Sequence, residues 1–119
     1  MKPAYRYSAE VLRILDGDTI EVSLDLGFNL RQRMLLRLAG INTQELNDKS
    51  ESKRATAFEA KKFVDSHIGG DSVITETVKP KDKFGRWLAN VYLDDGRCLN
   101  QLLLDNGLAQ PWDGQGEKP

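Results

Sequence analysis

Residues 14–26 have the sequence ILDGDTIEVSLDL, in which a short polar turn separates two apolar segments. After the turn at residues 16–18, apolar side chains occupy every second position from Ile20 to Leu26. This period of two is typical of a strand with one buried face, and Asp-Gly is a common hairpin turn. The stretch therefore predicts two antiparallel strands joined by an acidic turn.

The flanking sequence predicts three more strands and two helices. A third strand begins at Leu30, and its alternation places Leu36 and Leu38 on one face and Arg37 on the other. Two further strands are predicted at residues 73–78 and 87–93. A first helix is indicated by the helical spacing of Ala57, Ala60, Val64, His67 and Ile68. A second, shorter helix has an apolar face made of Leu99, Leu102 and Leu103.

The predicted order is three strands, a helix, two strands and a helix, without an internal repeat. The edges of a five-stranded antiparallel sheet are most simply removed by closing it into a barrel. We therefore predict a mainly β fold with helices (α+β): a five-stranded OB-fold β-barrel with two to three short helices, although other small barrels fit this order as well. The 119 residues suit a single domain, residues 1–119, with an irregular tail from about residue 111.

The composition excludes several classes of function. A net charge of −1 leaves no broad basic surface for non-specific nucleic-acid binding, so any phosphate site must be local. Cys98 and His67 are the only residues of their types, which excludes an internal disulfide and a Cys/His zinc cluster. Residues 1–10 lack the apolar run of a signal peptide, and no apolar stretch approaches membrane-spanning length. We therefore expect a cytoplasmic protein without a membrane partner.

Polar residues that can carry chemistry concentrate at residues 16–19, 37–45 and 82–86. Each segment is weak support alone, since Asp-Gly is more often only a turn. Together they supply oxygen ligands for a divalent ion, the carboxylate of Glu45, and the guanidinium groups of Arg37 and Arg86. Hydrolysis of a phosphodiester needs this set of groups.

These segments lie within the first three of four sequence blocks: ILDGDT, RLAGINTQE, DKFGRWLANVY and LLLDNGLA. In this order and spacing the blocks resemble the staphylococcal nuclease (thermonuclease) family, and the similarity covers nearly the whole chain. The resemblance implies an OB-fold barrel and a calcium-dependent nuclease that hydrolyses DNA and/or RNA with low sequence specificity. It also implies one Ca²⁺ ion as cofactor and a nucleic-acid substrate as partner. We expect the protein to be a monomer.

The resemblance also implies roles for individual residues at matching positions. The implied metal ligands are Asp18, Asn42 and, through its main-chain carbonyl, Thr43. The implied catalytic residues are Arg37, Glu45 and Arg86, with Glu45 acting on the attacking water and the arginines holding the phosphate. The implied substrate-binding residues, beside the nucleotide, are Lys83 and Phe84.

Two positions depart from the family pattern. Asn42 replaces an aspartate of the best-known members, which removes a negative charge and predicts weaker calcium binding. Gln44 replaces a proline, which removes a backbone restraint next to Glu45. The alternative hypothesis is therefore a catalytically weak or inactive OB-fold module that binds single-stranded nucleic acid or peptide. A third hypothesis, a scaffold domain in a larger assembly, predicts an exposed apolar patch.

Four further residues have two interpretations each. Arg31 and Arg33 either extend the phosphate site of Arg37 or keep a sheet face soluble, and the second is slightly favoured. Trp112 either stacks on a base or is simply an exposed or core-covering aromatic residue. Asp16 fits a turn residue, or a residue that supports the metal ligands, better than a ligand itself.

Overall fold

The computed structural model describes residues 4–78, 86–113 and 118–119. Its elements in chain order are β1 (Arg6–Asp16), β2 (Thr19–Gly27), β3 (Leu30–Leu38), β4 (Ile41–Asn42), α1 (Glu51–Ile68), β5 (Ser72–Val78), β6 (Trp87–Tyr92), α2 (Leu99–Asp105) and β7 (Gln110–Pro111). The five predicted strands and two predicted helices are all present. Strands β4 and β7 are additional.

The main sheet is a closed barrel with the strand order β1-β2-β3-β6-β5. The predicted α+β OB-fold is therefore confirmed. The expectation of a wholly antiparallel sheet is wrong at one place, because β3 and β6 run parallel, with Leu36 opposite Trp87 and Leu38 opposite Ala89. A closed ring with an odd number of strands cannot alternate in direction throughout, so five strands require at least one parallel pair.

Alternating side chains of the strands fill the barrel interior. In β2, Ile20, Val22 and Leu24 are buried, while Glu21 and Ser23 between them point to the outer face. Helix α1 packs against β1, and its buried residues are Ala57, Ala60, Val64 and Ile68. In the described part of the chain, neither helix combines the length and the apolar character needed to cross a bilayer.

Helix α1 also holds the β1–β2 turn in place. Gly17 lies so close to α1 that a Cβ atom added there would be 2.7 Å from the Cβ of Ala60 and 2.9 Å from Cγ2 of Thr43. Only glycine permits this approach, since real Cβ atoms do not come so near other carbons. The acidic turn is thus fixed between the helix and the segment that contains Thr43.

The small sheet of β4 and β7 attaches the C-terminal segment to the region that follows β3. Ile41 pairs with Pro111 and Asn42 with Gln110, and the backbone N–H of Trp112 donates to the carbonyl of Gly40 at 3.0 Å. The tail that was expected to be irregular from about residue 111 therefore starts within a strand. Two-residue strands have no periodicity to detect in a sequence, which is why the pairing was not predicted.

Candidate active site

The β1–β2 turn places two carboxylates side by side. The backbone N–H of Asp18 donates to Oδ1 of Asp16 at 3.0 Å, and Asp18 is only 7% exposed. Burial, a hydrogen bond with the Asp18 side chain and the charge of Asp18 raise the pKa of Asp16 to about 6. The charged form of Asp16 is thus destabilised by burial and by the neighbouring Asp18.

Asp18 is the centre of a hydrogen-bond network. Its Oδ2 accepts from the backbone N–H of Thr43 at 3.1 Å, and its Oδ1 accepts from the hydroxyl of Thr19 at 3.2 Å. Burial alone would raise the pKa of Asp18, but the hydrogen bond with the Asp16 side chain, the charge of Arg37 and the Thr43 N–H together outweigh it and lower that pKa. Asp18 therefore remains the charged member of the pair.

Arg37 is buried beneath this network, with 3% of its surface exposed. Its Nη2 donates to Oδ2 of Asp18 at 3.3 Å and to Oδ1 of Asn42 at 3.2 Å. Its Nη1 donates to the carbonyl of Ile41 at 3.1 Å and, more weakly, to that of Leu38 at 3.4 Å. Four acceptors hold the guanidinium and thereby fix where its positive charge lies.

A second guanidinium approaches the same turn from β6. Arg86 immediately precedes that strand, and its Nη1 donates to the hydroxyl of Thr19 at 3.2 Å. Thr19 in turn donates to Asp18. The Asp18–Thr19 pair thus links Arg86 to Arg37, although the two arginines come from different strands of the barrel.

These groups line a cleft of about 420 Å³ on the barrel surface. Five of the residues implied by the resemblance line it, namely Asp18, Arg37, Thr43, Glu45 and Arg86. Glu45 is partly exposed, and its Oε1 accepts from Nζ of Lys118 at 3.2 Å. Such an exposed ion pair is worth at most about 1 kcal/mol, so it leaves the carboxylate available to a ligand.

One further implied site residue is described by the structure and does not line the cleft. Asn42 is buried and its side-chain oxygen accepts from Arg37, so it lies behind the cleft and does not line it. Lys83 and Phe84 fall outside the described residues, and their roles stay predictions.

The cleft also contains residues that the sequence did not assign to it. These are Asp16, Leu35, Gln44 and Lys118. A signal existed for Asp16, because residues two apart across an Asp-Gly turn lie close together. No sequence signal pointed to Lys118, which reaches the cleft from a distant part of the chain.

The donor set fits a hard cation that prefers oxygen ligands. Among the described residues there is no group of three His, Cys, Asp or Glu side chains that could hold a metal ion, so neutral oxygens and water would have to complete the coordination. Calcium accepts such a mixture. Burial raises the pKa of Asp16 most, and the neighbouring charge of Asp18 adds to it; a divalent cation relieves repulsion of this second kind.

The fold and the cleft together define an OB-fold domain whose surface site combines acidic, metal-type ligands with guanidinium groups suited to phosphate. The model of the family described as staphylococcal nuclease homologue matches residues 35–118. The chain therefore belongs to the staphylococcal nuclease homologue family.

Two relatives with nuclease names support this family membership. The chain is 32% identical over 109 residues to an uncharacterized endonuclease of Escherichia coli O157:H7, covering 92% of this chain and 63% of that protein. It is 35% identical over 101 residues to the thermonuclease of Staphylococcus intermedius, covering 84% of this chain and 56% of that protein. The chain thus spans less than two thirds of the length of these relatives.

Proposed function

We propose that this domain is a nuclease that hydrolyses phosphodiester bonds of DNA and/or RNA with low sequence specificity and depends on one Ca²⁺ ion. The observation that carries the proposal is the convergence of Arg37 and Arg86 on the Asp18–Thr19 pair, in a cleft that Glu45 also lines. Family membership supports the same reaction class.

The two arginines would bind and stabilise the reacting phosphate. Planar guanidinium groups match phosphate oxygens in two-point contacts, and their charge offsets the negative charge that develops as water attacks phosphorus. Both Nη atoms of Arg37 already donate to four acceptors, so Arg37 would meet the phosphate through its remaining Nε N–H and its charge, from a position fixed before substrate binds. Arg86 donates to the hydroxyl of Thr19, which a phosphate oxygen can replace as acceptor.

Glu45 would act as the general base. Its carboxylate is at the solvent-accessible side of the cleft, where it can accept the proton of the attacking water as the new P–O bond forms. The ester P–O bond then breaks, and the leaving oxygen takes up a proton from solvent. The ion pair with Lys118 leaves the Glu45 side chain exposed.

Asp18 and the main-chain carbonyl of Thr43 would hold the calcium ion, with Asp16 beside them. When bound, the ion supplies positive charge next to the phosphate and so strengthens its electrophilic character. Asn42 contributes no charge, and its oxygen is already used by Arg37. We therefore propose that Asn42 supports Arg37 and that calcium binds more weakly than it would beside an aspartate.

The second candidate function is a binding module without efficient catalysis. It is favoured by the hydrogen bond from Arg37 to the Asn42 oxygen, because that oxygen is then not available to calcium. The two candidates are separated by digestion of single-stranded and heat-denatured DNA with calcium, with magnesium and with chelator. We expect calcium-dependent cutting, and Glu45→Gln should lower its rate by about 10²–10⁴-fold.

Glu59→Gln is the matched control, because Glu59 is an exposed glutamate on α1 that does not line the catalytic cleft. It should cut as the unmodified protein does. If the unmodified protein fails to cut at millimolar calcium while still binding single-stranded DNA, the nuclease proposal is wrong and the binding module is correct.

A further inference from the structure

The β2–β3 hairpin extends past the part of the barrel that closes. Strand β3 pairs with β2 from Leu30 to Arg37, but it pairs with β6 only from Leu36 to Leu38. Among the described residues, β2 is therefore the only strand beside the first part of β3. The hairpin ends in a two-stranded ribbon, and the inner side of this ribbon continues the face that lines the barrel interior.

The inner side of the ribbon is apolar up to the turn. Leu26 and Leu30 have the same parity as the buried residues of β2 and β3, yet they are 40% and 58% exposed. The outer side of the ribbon carries charges of both signs, among them Asp25, Arg31 and Arg33. The inner side therefore keeps the alternation of a buried face at positions that the described part of the chain leaves exposed.

An apolar hollow of about 330 Å³ opens on this inner side. Inward-facing residues of all five barrel strands line it, namely Tyr7, Leu24, Met34, Thr77 and Trp87. The hollow is therefore the open mouth of the barrel. None of the described residues that line it is charged. The buried centre of a protein–protein interface has this composition, with few charges and an enrichment in aromatic residues and methionine.

Phe28 projects into solvent from the turn of the same hairpin. It is 95% exposed, and its φ of 55° lies in the left-handed region that disfavours bulky residues. Neither burial nor turn geometry accounts for a phenylalanine there, since asparagine or glycine suits such a turn better. The hollow has room for the ring, because an apolar cavity of about 150 Å³ is large enough to bind benzene. The exposed ring does not fill the hollow of its own chain.

We propose that this face joins two copies of the chain in a two-fold symmetric dimer, in which Phe28 of each copy inserts into the hollow of the other. A two-fold interface brings the same surface of both copies together, so that surface must carry both a projecting group and the recess that receives it. The hairpin and the barrel mouth provide both, and Leu26 and Leu30 pack around the inserted ring. The dimer replaces the monomer that we expected from the sequence.

The exposed apolar area is sufficient for a reversible dimer. The exposed parts of Tyr5, Leu26, Phe28 and Leu30 amount to about 500 Å² per copy, given that one aromatic side chain alone buries about 150–250 Å². Two copies together would bury about 1,000 Å², which is the lower limit for a specific interface. We therefore expect a dimer that dissociates on dilution through micromolar concentrations.

The catalytic cleft lies at the opposite end of the hairpin. Thr19 at the start of β2 pairs with Arg37 near the end of β3, and this pair is about 25 Å along the strands from the turn. Dimerisation through the turn therefore leaves both clefts open. The proposal does not depend on the nuclease function, and a failure of one is distinguishable from a failure of the other because the test below involves no cleavage.

The test is sedimentation velocity of the full chain at concentrations from about 1 to 500 μM. We expect a 13.4 kDa monomer at the lowest concentration and a species of twice that mass at the highest. Phe28→Asn, which suits the left-handed turn, should raise the dissociation constant by about 30-fold or more, as replacement of a central interface residue does. Leu30→Gln should raise it by about tenfold.

Phe58→Asn is the matched control. Phe58 is an exposed phenylalanine on α1, 60% exposed, that does not line the hollow. Its replacement should leave the dissociation constant unchanged. If Phe58→Asn weakens the dimer as much as Phe28→Asn does, or if Phe28→Asn and Leu30→Gln have no effect, the copies associate through another face and the proposal is wrong.

Trp87 reports whether the ring enters the hollow. The chain has two tryptophans, so Trp112→Phe leaves Trp87 as the only one. In that background, Trp87 emission should move to shorter wavelength as the concentration rises through the dissociation constant, and Phe28→Asn should abolish this shift. A dimer without the shift overturns the insertion. A chain that remains a monomer at every concentration overturns the dimer, and the face then serves a different partner.

Discussion

The guanidinium carbon of Arg37 lies 5.0 Å from the centre of the Trp112 ring. Arg37 is therefore held at its edge by four oxygen acceptors and on one face by an aromatic ring. Strand β7 and the hydrogen bond from Trp112 to Gly40 keep the ring in place. The interpretations of Trp112 from the sequence did not include this contact, which supports Arg37, and base stacking by Trp112 stays a prediction.

Replacement of Trp112 should weaken catalysis through Arg37. Stacking of a cation on an aromatic ring is worth about 0.5–2 kcal/mol, so Trp112→Leu should lower kcat/KM by about 2- to 30-fold at calcium saturation. Trp112→Phe keeps an aromatic face and should recover most of the rate. Steady-state kinetics of both variants, with thermal unfolding measured alongside, provide the check. Equal losses in the two variants would show that the stacking is unimportant.

The raised pKa of Asp16 predicts how stability depends on pH. With a pKa of about 6 when folded and 3.8 ordinarily, the folded state keeps a proton between these values that the unfolded state has released. The free energy of unfolding of the metal-free protein should therefore decrease as pH rises from 4 to 6, by about 1–2 kcal/mol after allowance for partial exposure. Urea unfolding at several pH values measures this decrease.

Asp16→Asn is the matched variant for this prediction. It has no carboxyl to titrate, so its stability should be nearly flat across the same pH window and higher than that of the unmodified protein at pH 7. Calcium should then stabilise Asp16→Asn less than the unmodified protein, because relief of the repulsion with Asp18 is no longer gained. A decrease between pH 4 and 6 that persists in Asp16→Asn would assign it to another group.

Asn42→Asp should tighten calcium binding. A unit charge near 4 Å is worth up to about 4 kcal/mol at an effective dielectric constant of 20. Part of this is lost to desolvation and to the new ion pair with Arg37, whose Nη2 lies 3.2 Å from the Asn42 oxygen. We expect an affinity increase of about 10- to 100-fold, which isothermal titration calorimetry measures. An unchanged affinity would show that residue 42 acts only on Arg37.

The strands and helices could be predicted from the sequence because each buries one face. A buried face repeats apolar residues every two positions in a strand and every 3.6 positions in a helix. Five residues of the cleft were identified from the sequence because they lie in three of the four sequence blocks of the family. The parallel pairing of β3 with β6 follows from closing the barrel and has no local signal. The contact between Arg37 and Trp112 joins segments that are distant in sequence, so neither sequence pattern contains it.

The orientation of Asn42 was also beyond sequence reasoning. Its position in the block RLAGINTQE suggested a metal ligand, but the same side chain is close enough to Arg37 to accept its hydrogen bond. Which of two partners a short amide side chain selects depends on packing differences of an ångström or less, and these arise only when β4, β7 and the β1–β2 turn are assembled.

Gly17→Ala should damage both the fold and the cleft. The added methyl group would meet Ala60 and Thr43 at 2.7 and 2.9 Å, and overpacking of this kind costs about 1–3 kcal/mol. Because Gly17 lies between Asp16 and Asp18, relief of the clash must move the turn and with it both carboxylates. Calcium affinity should therefore fall together with the free energy of unfolding.

Thr43→Ser in the Gly17→Ala background separates these two effects. It removes the Cγ2 atom of one contact while keeping the backbone N–H that donates to Asp18. The double variant should regain part of the stability and of the calcium affinity, and Thr43→Ser alone should change both only slightly. Chemical unfolding and calorimetric titration of the three variants measure this. Without any recovery in the double variant, the contact with Ala60 alone must account for the loss.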